Sequence, residues 1–307
     1  MSLYCVKFKL LSHLMNIPNS QSIFGTICHY YEDKYGKEKL EEILEKENSN
    51  NPVFVVSSMF IDNVLPLPMD FIPKRSNNIE LKDVKLFKKV KKVKFMSLNL
   101  FKELKKDKIK FEDSFYSNIS SGKYVIEEGI IWDKNLDSNI AKPKVKDEIR
   151  TRVNVLDEQF YQDIIKHYSD DTTFVFYVDI KNKDYEDELI ELFKSLKYVN
   201  IGGKKSIGYN LYNYFDIQKV DDLLINKRNV LLSLAVGNDN VNFDESYYQF
   251  ININNKFNNS KKTVNRNNVY AFCEGSVIST DKDYIGCLIK EENDGQITYQ
   301  NMLGLLI

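Results

Sequence analysis

The amino-acid sequence predicts an α+β fold from two observations: the order of strand-like and helix-like segments in residues 1–218, and the series of strand-like segments in residues 221–307. Alternating apolar and polar residues indicate strands, whereas apolar residues recurring every three or four positions indicate helices. Of the 307 residues, 43% are hydrophobic and 13% aromatic. This composition is sufficient for packed cores and typical of proteins with β-structure, and the length suits two domains.

The N-terminal part begins with a predicted strand, two helices and a second strand. Residues 3–10 alternate as a half-buried strand does, and residues 18–22 form a turn rich in helix-capping residues. A helix is expected from this turn to about Tyr35, because its apolar residues share one face. Residues 37–46 are expected to form a second helix, and residues 52–57 a strand.

Regular patterns fade between about residues 61 and 170, so an irregular insertion is predicted there. Within it, residues 81–110 contain twelve lysines and three acidic residues, although the net charge of the whole chain is only −1. Such asymmetry predicts contact with a polyanion, for which Lys91, Lys92 and Lys94 are the candidates. The alternative is that the lysines of a lysine-rich chain coat a solvated face.

A second strand–helix–strand set follows the insertion, at residues 172–180, 184–197 and 209–215. With the insertion removed, the order is β-α-β followed by β-α-β. This is the ferredoxin-like split βαβ arrangement, and the related RRM version displays RNA on its sheet. The N-terminal domain is therefore expected to span residues 1–218.

The remainder of the chain predicts strands without a clear helix. These strand-like segments are residues 230–236, 247–253, 269–278, 284–289 and 296–306. Residues 221–307 are expected to form a second, mainly β domain, and a degenerate copy of the first domain is one interpretation of it.

A glycine-rich segment between the last predicted helix and strand is the main candidate for ligand binding. This glycine loop contains Gly202, Gly203, Lys204, Lys205, Ser206, Gly208 and Tyr209. Glycine permits positive φ and close approach of backbone N–H groups to an anion, and the lysines add charge, so a phosphate site is predicted. On this reasoning Gly203→Val should impair binding. The loop lacks the spacing of a Walker loop, and a plain turn with solvated lysines is the alternative.

The glycine loop, at this position in a split βαβ fold, resembles that of the RAMP superfamily, the repeat-associated RNA-binding proteins of CRISPR systems. Two further stretches, NSQSIFGTICHYYEDKYG from Asn19 and VSSMFIDNVLPLPMDF from Val56, resemble the Cas-five-like group that forms subunit four of type III-A Csm effector complexes. The stretch VYAFCEGSVIS from Val269 is similar to a Glu-Gly-Ser strand in the C-terminal half of that group.

The resemblance implies a non-catalytic protein. Members of that group hold the 5′ tag of the CRISPR RNA and join the large polymerase-like subunit to the first backbone RAMP subunit. Their glycine-rich loop and inserted thumb contact the RNA, which implies the same role for the glycine loop here and a thumb within residues 75–155. Where the group often has Ile-Asp-Arg, this chain has Val153-Asn154-Val155, so Arg150 or Arg152 is expected to replace that arginine.

The alternative function is that of another RAMP relative, the endoribonuclease that processes CRISPR precursor RNA. His29 is its candidate general acid or base on a 2′-hydroxyl. The sequence contains no catalytic triad and no carboxylate cluster at metal-ligand spacing, so no metal or cofactor is expected. Tyr209 is the first candidate for stacking on a base, with a core role as the alternative. No signal peptide or membrane-spanning run is recognised, and a cytoplasmic location is expected.

Overall fold

The computed structural model describes residues 2–49, 51–74, 81–154, 159–203, 208–224, 228–253, 256–259, 262–265, 267–293 and 296–307. The helices are α1 (Ser20–Tyr35), α2 (Lys37–Asn48), α3 (Leu81–Val90), α4 (Leu98–Lys106), α5 (Lys108–Ser120) and α6 (Glu186–Ser195), with 3-10 turns at Lys183–Tyr185 and Asp221–Leu224. The strands are β1 (Ser2–Leu10), β2 (Phe54–Val56), β3 (Phe60–Ile61), β4 (Val64–Pro66), β5 (Phe95–Ser97), β6 (Tyr124–Glu127), β7 (Ile130–Asp133), β8 (Val145–Asn154), β9 (Gln159–Tyr168), β10 (Thr173–Ile180), β11 (Val199–Asn200), β12 (Leu211–Lys219), β13 (Asn242–Tyr247), β14 (Phe250–Ile253), β15 (Lys256–Asn259), β16 (Lys262–Asn265), β17 (Val269–Phe272), β18 (Val277–Ser279), β19 (Tyr284–Ile285), β20 (Leu288–Asn293), β21 (Gln296–Asn301) and β22 (Gly304–Leu305).

The central sheet joins the beginning of the chain to segments far along it. Its strand order is β11-β12-β1-β10-β2, with β3 also paired to β10, and these pairs are antiparallel. β1 therefore lies in the middle, between β10 and β12. The strands predicted at residues 3–10, 52–57 and 172–180, and both N-terminal helices, are confirmed with small differences at their ends.

Helices α1, α2 and α6 cover one face of this sheet. The Asn19 side chain accepts a hydrogen bond from the Ser22 N–H at 3.0 Å and caps the start of α1, and Gly36, with φ +94°, ends it. Alternate residues of β1 and β10, such as Phe8 and Phe176, are buried with the apolar faces of the helices in one core cluster. The apolar residues that recur at helical spacing in the sequence therefore face the sheet.

The other face of the sheet is also buried, which differs from an open RRM sheet. Cys5 of β1 and Tyr177 of β10 belong to a second core cluster together with Phe101 of α4, Leu305 of β22 and Ile307. The inserted segment and the C-terminal part thus pack on the face where an RRM would present aromatic side chains to RNA. Because it is covered, this face cannot bind RNA in the way that an RRM sheet does.

The expectation of an irregular insertion at about residues 61–170 is wrong. The described part of this segment contains α3, α4 and α5, a sheet of order β4-β5-β7-β6, and the long antiparallel hairpin β8–β9. Leu100, Phe101 and Leu104 are each 0% exposed, so α4 is a packed element although lysines cover its outer surface. The helix was missed although its apolar residues recur at helical spacing, and packing on the central sheet stabilises it.

The C-terminal part is mainly β, as expected, but its strands are shorter than the predicted segments. They pair as β13–β18, β14–β17, β15–β16, β19–β22 and β20–β21. Residues 230–236 form isolated bridges at Val230, Leu231 and Ala235 rather than a continuous strand. Within the described residues from 228 onward, the secondary structure consists of strands, bridges and turns.

Candidate nucleic-acid interface

The glycine loop connects two antiparallel strands. Val199 of β11 pairs with Tyr212 of β12, and α6 ends at Ser195, so the expectation that the loop joins a helix directly to a strand is wrong. The short β11 was missed because a two-residue strand has no measurable alternation. The loop is a hairpin connection at the edge of the central sheet.

Positive φ occurs at Gly202 (+101°) and Gly208 (+79°), not at Gly203. A Cβ added at Gly203 would meet nothing within 4 Å, whereas one at Gly202 would lie 3.3 Å from Asn210 Nδ2. The expected effect of Gly203→Val through strained φ is therefore wrong, and Gly202 and Gly208 are the positions whose backbone favours glycine. Lys204, Lys205 and Ser206 lie outside the described residues, so their phosphate contacts stay predictions.

Asn210 ties the glycine loop to the end of β1. Its backbone N–H donates to the His13 carbonyl at 3.0 Å, and its side-chain Oδ1 accepts from the Met15 N–H at 3.2 Å. Its Nδ2 donates to the Gly203 carbonyl at 3.4 Å. The loop is thereby held beside the segment that follows β1.

A polar cluster lies beside the C-terminal end of the glycine loop. This basal cluster consists of His13, Glu148, Arg150, His167 and Tyr209. Arg150 donates through Nε to Glu148 Oε1 at 2.6 Å, and its Nη1 lies 3.5 Å from the Tyr209 hydroxyl. Its Nη2 lies 3.4 Å from His13 Nε2. The rings of His13 and His167 are 4.5 Å apart, and His167 Nε2 lies 2.6 Å from Glu148 Oε2.

The hairpin β8–β9 positions this cluster. Lys146 pairs with His167 and Glu148 with Ile165 across the hairpin, so the side chains of Glu148 and His167 reach one another diagonally. A bridge between Leu14 and Lys166 fixes the hairpin next to the end of β1. The segment after β1, the hairpin and the glycine loop therefore meet at one place.

Glu148 supplies the negative charge of the basal cluster. Hydrogen bonds from Arg150 and His167 lower the pKa of its carboxyl to about 2, and the hydrogen bond to Glu148 raises the pKa of Arg150. The Arg150 side chain is 37% exposed and that of Glu148 40%. Because both groups reach solvent, a phosphate oxygen can take the place of the carboxylate on the guanidinium.

The remaining candidates in this region have different environments. Tyr209 is only 3% exposed, so in this arrangement its ring is packed and its hydroxyl faces Arg150. The backbone of Arg152 lies in β8, but its side chain is outside the described part of the chain. The structure describes the side chain of the other candidate, Arg150, and places it at the glycine loop.

The lysines of residues 81–110, the lysine block, include some that form ion pairs and some that are exposed. Lys102 pairs with Asp222 at 2.8 Å, and Lys108 pairs with Asp70 at 2.7 Å. Lys91, Lys92 and Lys94 are exposed. Lys94 is fixed through its backbone, because its N–H donates to the Gly129 carbonyl at 2.9 Å. The structure thus keeps the three candidate lysines at the surface.

His29 is not part of the basal cluster that contains His13 and His167. Its side chain is 63% exposed on α1, and Nε2 is 3.7 Å from Asp33 Oδ2. No sequence pattern indicates that His13 and His167 meet, because 154 positions separate them and neither lies in a recognised motif. Across the residues that the structure describes, there is no group of three or more His, Cys, Asp or Glu residues that could hold a metal ion. Within the same residues, no helix has the length and apolar character needed to cross a membrane.

The family model of the RAMP superfamily matches residues 19–209, which is more than half of the chain. The chain belongs to the RAMP superfamily. This RAMP protein is also 24% identical to the CRISPR system Cms protein Csm4 of Methanocaldococcus jannaschii, over 90% of this chain and 82% of that protein. The resemblance inferred from the three separated motifs is therefore confirmed.

Solved structures share the fold over the whole length of this RAMP protein. A chain of the Csm3–Csm4 subcomplex of a type III-A CRISPR–Cas interference complex matches with a TM-score of 0.68 and 20% identity, covering 100% of this chain and 98% of that one. A chain of a Csm1–Csm4 cassette in complex with pppApA matches with a TM-score of 0.60 and 15% identity, covering 100% and 97%.

Proposed function

We propose that this RAMP protein is a non-catalytic subunit of a type III-A Csm complex, in which it binds the 5′ tag of the CRISPR RNA. It joins the large polymerase-like subunit to the backbone RAMP subunit. Family membership and the similarity to a Csm4 protein over 90% of the chain support this role. Solved structures of the same fold come from complexes of Csm4 with Csm3 and with Csm1, which supports the two partners. A cytoplasmic location follows from the proposal.

The finer architecture belongs to the same proposal. The strand order β12-β1-β10-β2, with α1 and α6 against one face, supports a ferredoxin-like split βαβ domain in residues 1–218, followed by a mainly β domain in residues 221–307. The thumb implied within residues 75–155 is proposed here to be the hairpin β8–β9, which begins at Val145 and extends beyond that range to Tyr168. Its cross-strand pair Ile149 and Ile164 is 63% and 55% exposed, as expected of apolar residues that contact a partner.

The observation that carries the RNA-binding proposal is the position of Arg150. Its guanidinium connects the hairpin to Tyr209 at the end of the glycine loop, and it is held by the exposed carboxylate of Glu148. An RNA phosphate placed between the loop and the hairpin replaces that carboxylate and accepts hydrogen bonds from Arg150. Phosphate contacts of this kind position single-stranded RNA while its bases stay accessible.

A pair of variants with opposite expected effects tests this site. Arg150→Ala should weaken binding of single-stranded repeat RNA and reduce the salt dependence of the affinity, because one cation–phosphate contact is lost. Glu148→Gln keeps the shape of the side chain but removes the competing charge, so it should strengthen binding. Fluorescence anisotropy at several salt concentrations measures both effects. Unchanged affinity in both variants would show that the cluster is only structural.

Co-purification and a cleavage assay test the role as a subunit. The tagged protein, expressed with the other components of its complex, should retain a large polymerase-like subunit, a backbone RAMP subunit and RNA with repeat sequence at its 5′ end. The pure chain should leave repeat RNA intact with and without divalent metal. Specific cleavage that disappears in His29→Ala or His13→Ala would instead support the processing endoribonuclease.

A further inference from the structure

A cavity of about 900 Å³ lies where the three stretches that resemble the Csm subunit meet. Asn19 comes from the first stretch, Ser58 from the second and Glu274 from the third, and all three line the cavity. Most of its wall is apolar, with Met59, Phe60, Ile61, Val64, Phe71 and Ile130 among the lining residues. Apolar walls with a few convergent polar groups are typical of sites for organic ligands.

The polar end of the cavity is fixed by a hydrogen-bonded network. The Ser58 hydroxyl donates to Glu274 Oε1 and accepts from the Ser20 N–H at 3.0 Å, which links the start of α1 to the Glu-Gly-Ser turn. Gly275 has φ +89°, and a Cβ there would lie 2.8 Å from the Leu67 carbonyl oxygen. Only glycine fits this position, so the backbone that carries Glu274 is held in one conformation.

The charges of the cavity favour a neutral ligand with hydrogen-bond donors. Three carboxylates line it, those of Glu128, Asp147 and Glu274. A phosphate inside the cavity would be repelled by these groups. The cations Lys94 and Lys166 also line it; Lys94 is exposed, and Lys166 Nζ lies 3.4 Å from Asp147 Oδ1. These two lysines can contact an RNA phosphodiester that lies outside the cavity.

The cavity lies next to the glycine loop of the proposed RNA site. Pro18 lines the cavity, and its Cγ lies 3.9 Å from the position of a Cβ on Gly202 in the glycine loop. Lys166, which also lines the cavity, and His167 of the basal cluster are consecutive in β9, so the cavity and the basal cluster lie on opposite faces of the hairpin, and Pro18 is the residue through which the cavity adjoins the glycine loop. RNA with a phosphate at the glycine loop therefore passes beside the cavity.

We propose that the cavity receives one unstacked nucleobase of the bound RNA and that Glu274 accepts a hydrogen bond from an exocyclic amino group of this base. The inference rests on the proposed RNA-binding function and adds a base-selective site to it. Adenine, cytosine and guanine carry such an amino group. Uracil presents two carbonyl oxygens beside its single N–H, and the carboxylate of Glu274 would repel these oxygens. The site therefore selects amino-bearing bases over uracil.

An abasic scan of single-stranded repeat RNA tests the site with the full chain. Removal of the base at one position should lower the affinity between about fivefold and a hundredfold, since stacking of one base contributes roughly that much. Uridine at that position should bind more weakly than cytidine. In Glu274→Gln this difference should largely disappear, because an amide both donates and accepts hydrogen bonds.

Glu128→Gln is the matched control, since it removes the same charge from the exposed side of the same cavity. It should keep the preference for cytidine over uridine. Tight RNA binding that tolerates every abasic position would overturn the base site and leave the proposed function intact. Loss of a partner subunit in Glu274→Gln, with all abasic positions tolerated, would instead place a protein side chain in the cavity. Failure of both the chain and its complex to bind any RNA would overturn the proposed function together with the base site.

Discussion

Glu47 provides a sensitive test of the folded core, because its carboxyl group has 0% exposure. It lies near the end of α2, and its Oε1 accepts hydrogen bonds from the Val53 N–H at 3.1 Å and the Phe54 N–H at 3.2 Å. Within the described residues its Oε2 has no hydrogen-bond partner. Burial outweighs the two N–H donors and raises the pKa of Glu47 from 4.5 to about 8. The perturbation that tests this is Glu47→Gln, which keeps the shape but cannot ionise.

The sign and size of the expected effect follow from this pKa. Between about pH 4.5 and pH 8, the folded state keeps a proton that the unfolded state has released. The contribution of Glu47 to the free energy of unfolding therefore falls as pH rises, by about 1.4 kcal/mol per pH unit, and the loss approaches about 5 kcal/mol above pH 8 as an upper limit. Below pH 4.5 both states are protonated and this contribution to the pH dependence vanishes. Glu47→Gln should remove this slope and be more stable than the parent at pH 8.

Urea denaturation at pH 5, 6, 7 and 8 measures the difference. The control is Glu45→Gln, an exposed glutamate on the same helix, which should follow the pH profile of the parent. If the free energy of unfolding of Glu47→Gln stays parallel to that of the parent across this range, Glu47 is ionised in the fold and the reasoning from burial fails.

Two further predictions concern the glycines and the lysine block. Gly275→Ala should lower the free energy of unfolding by roughly 2–4 kcal/mol, because the added methyl group meets both a positive φ and a steric contact. Gly203→Ala, at a position with open space and ordinary φ, should change the free energy of unfolding by less than about 1 kcal/mol. Thermal unfolding measures both variants. Reversal of Lys91, Lys92 and Lys94 to Glu should lower RNA affinity by orders of magnitude at low salt and much less at high salt. An equal loss at all salt concentrations would indicate misfolding of the triple variant.

The sequence predicted the elements whose signal is local. β1, α1 and β10 are long and strongly patterned, and their positions follow from alternation, helical spacing and the Asn19 cap. The folded insertion, with α3, α4 and α5, was missed although α4 carries Leu100, Phe101 and Leu104 at helical spacing, because the dense lysines of residues 81–110 were interpreted as an irregular surface segment. The stability of these helices comes from packing on the second face of the central sheet, which a local pattern does not report.

The candidate site was predictable only in part. The glycine loop and Arg150 were recognised from composition and resemblance, but the basal cluster depends on contacts across long sequence separations. Glu148 and His167 meet His13 because the hairpin β8–β9 is bridged to the end of β1 through Leu14 and Lys166. No local property of these residues indicates that proximity. Gly202 and Gly203 were equivalent by sequence, and only the backbone conformation distinguishes them.

The central position of β1 has a consequence for how the chain is made. β1 ends at Leu10, whereas its neighbours β10 and β12 begin at Thr173 and Leu211. A ribosome adding about 5–20 residues per second needs roughly ten to thirty seconds to supply the first of these neighbours. During that time an apolar strand with two open edges has no native partner. We therefore expect the yield of folded protein to depend on growth temperature and on chaperones that shield β1 in the nascent chain.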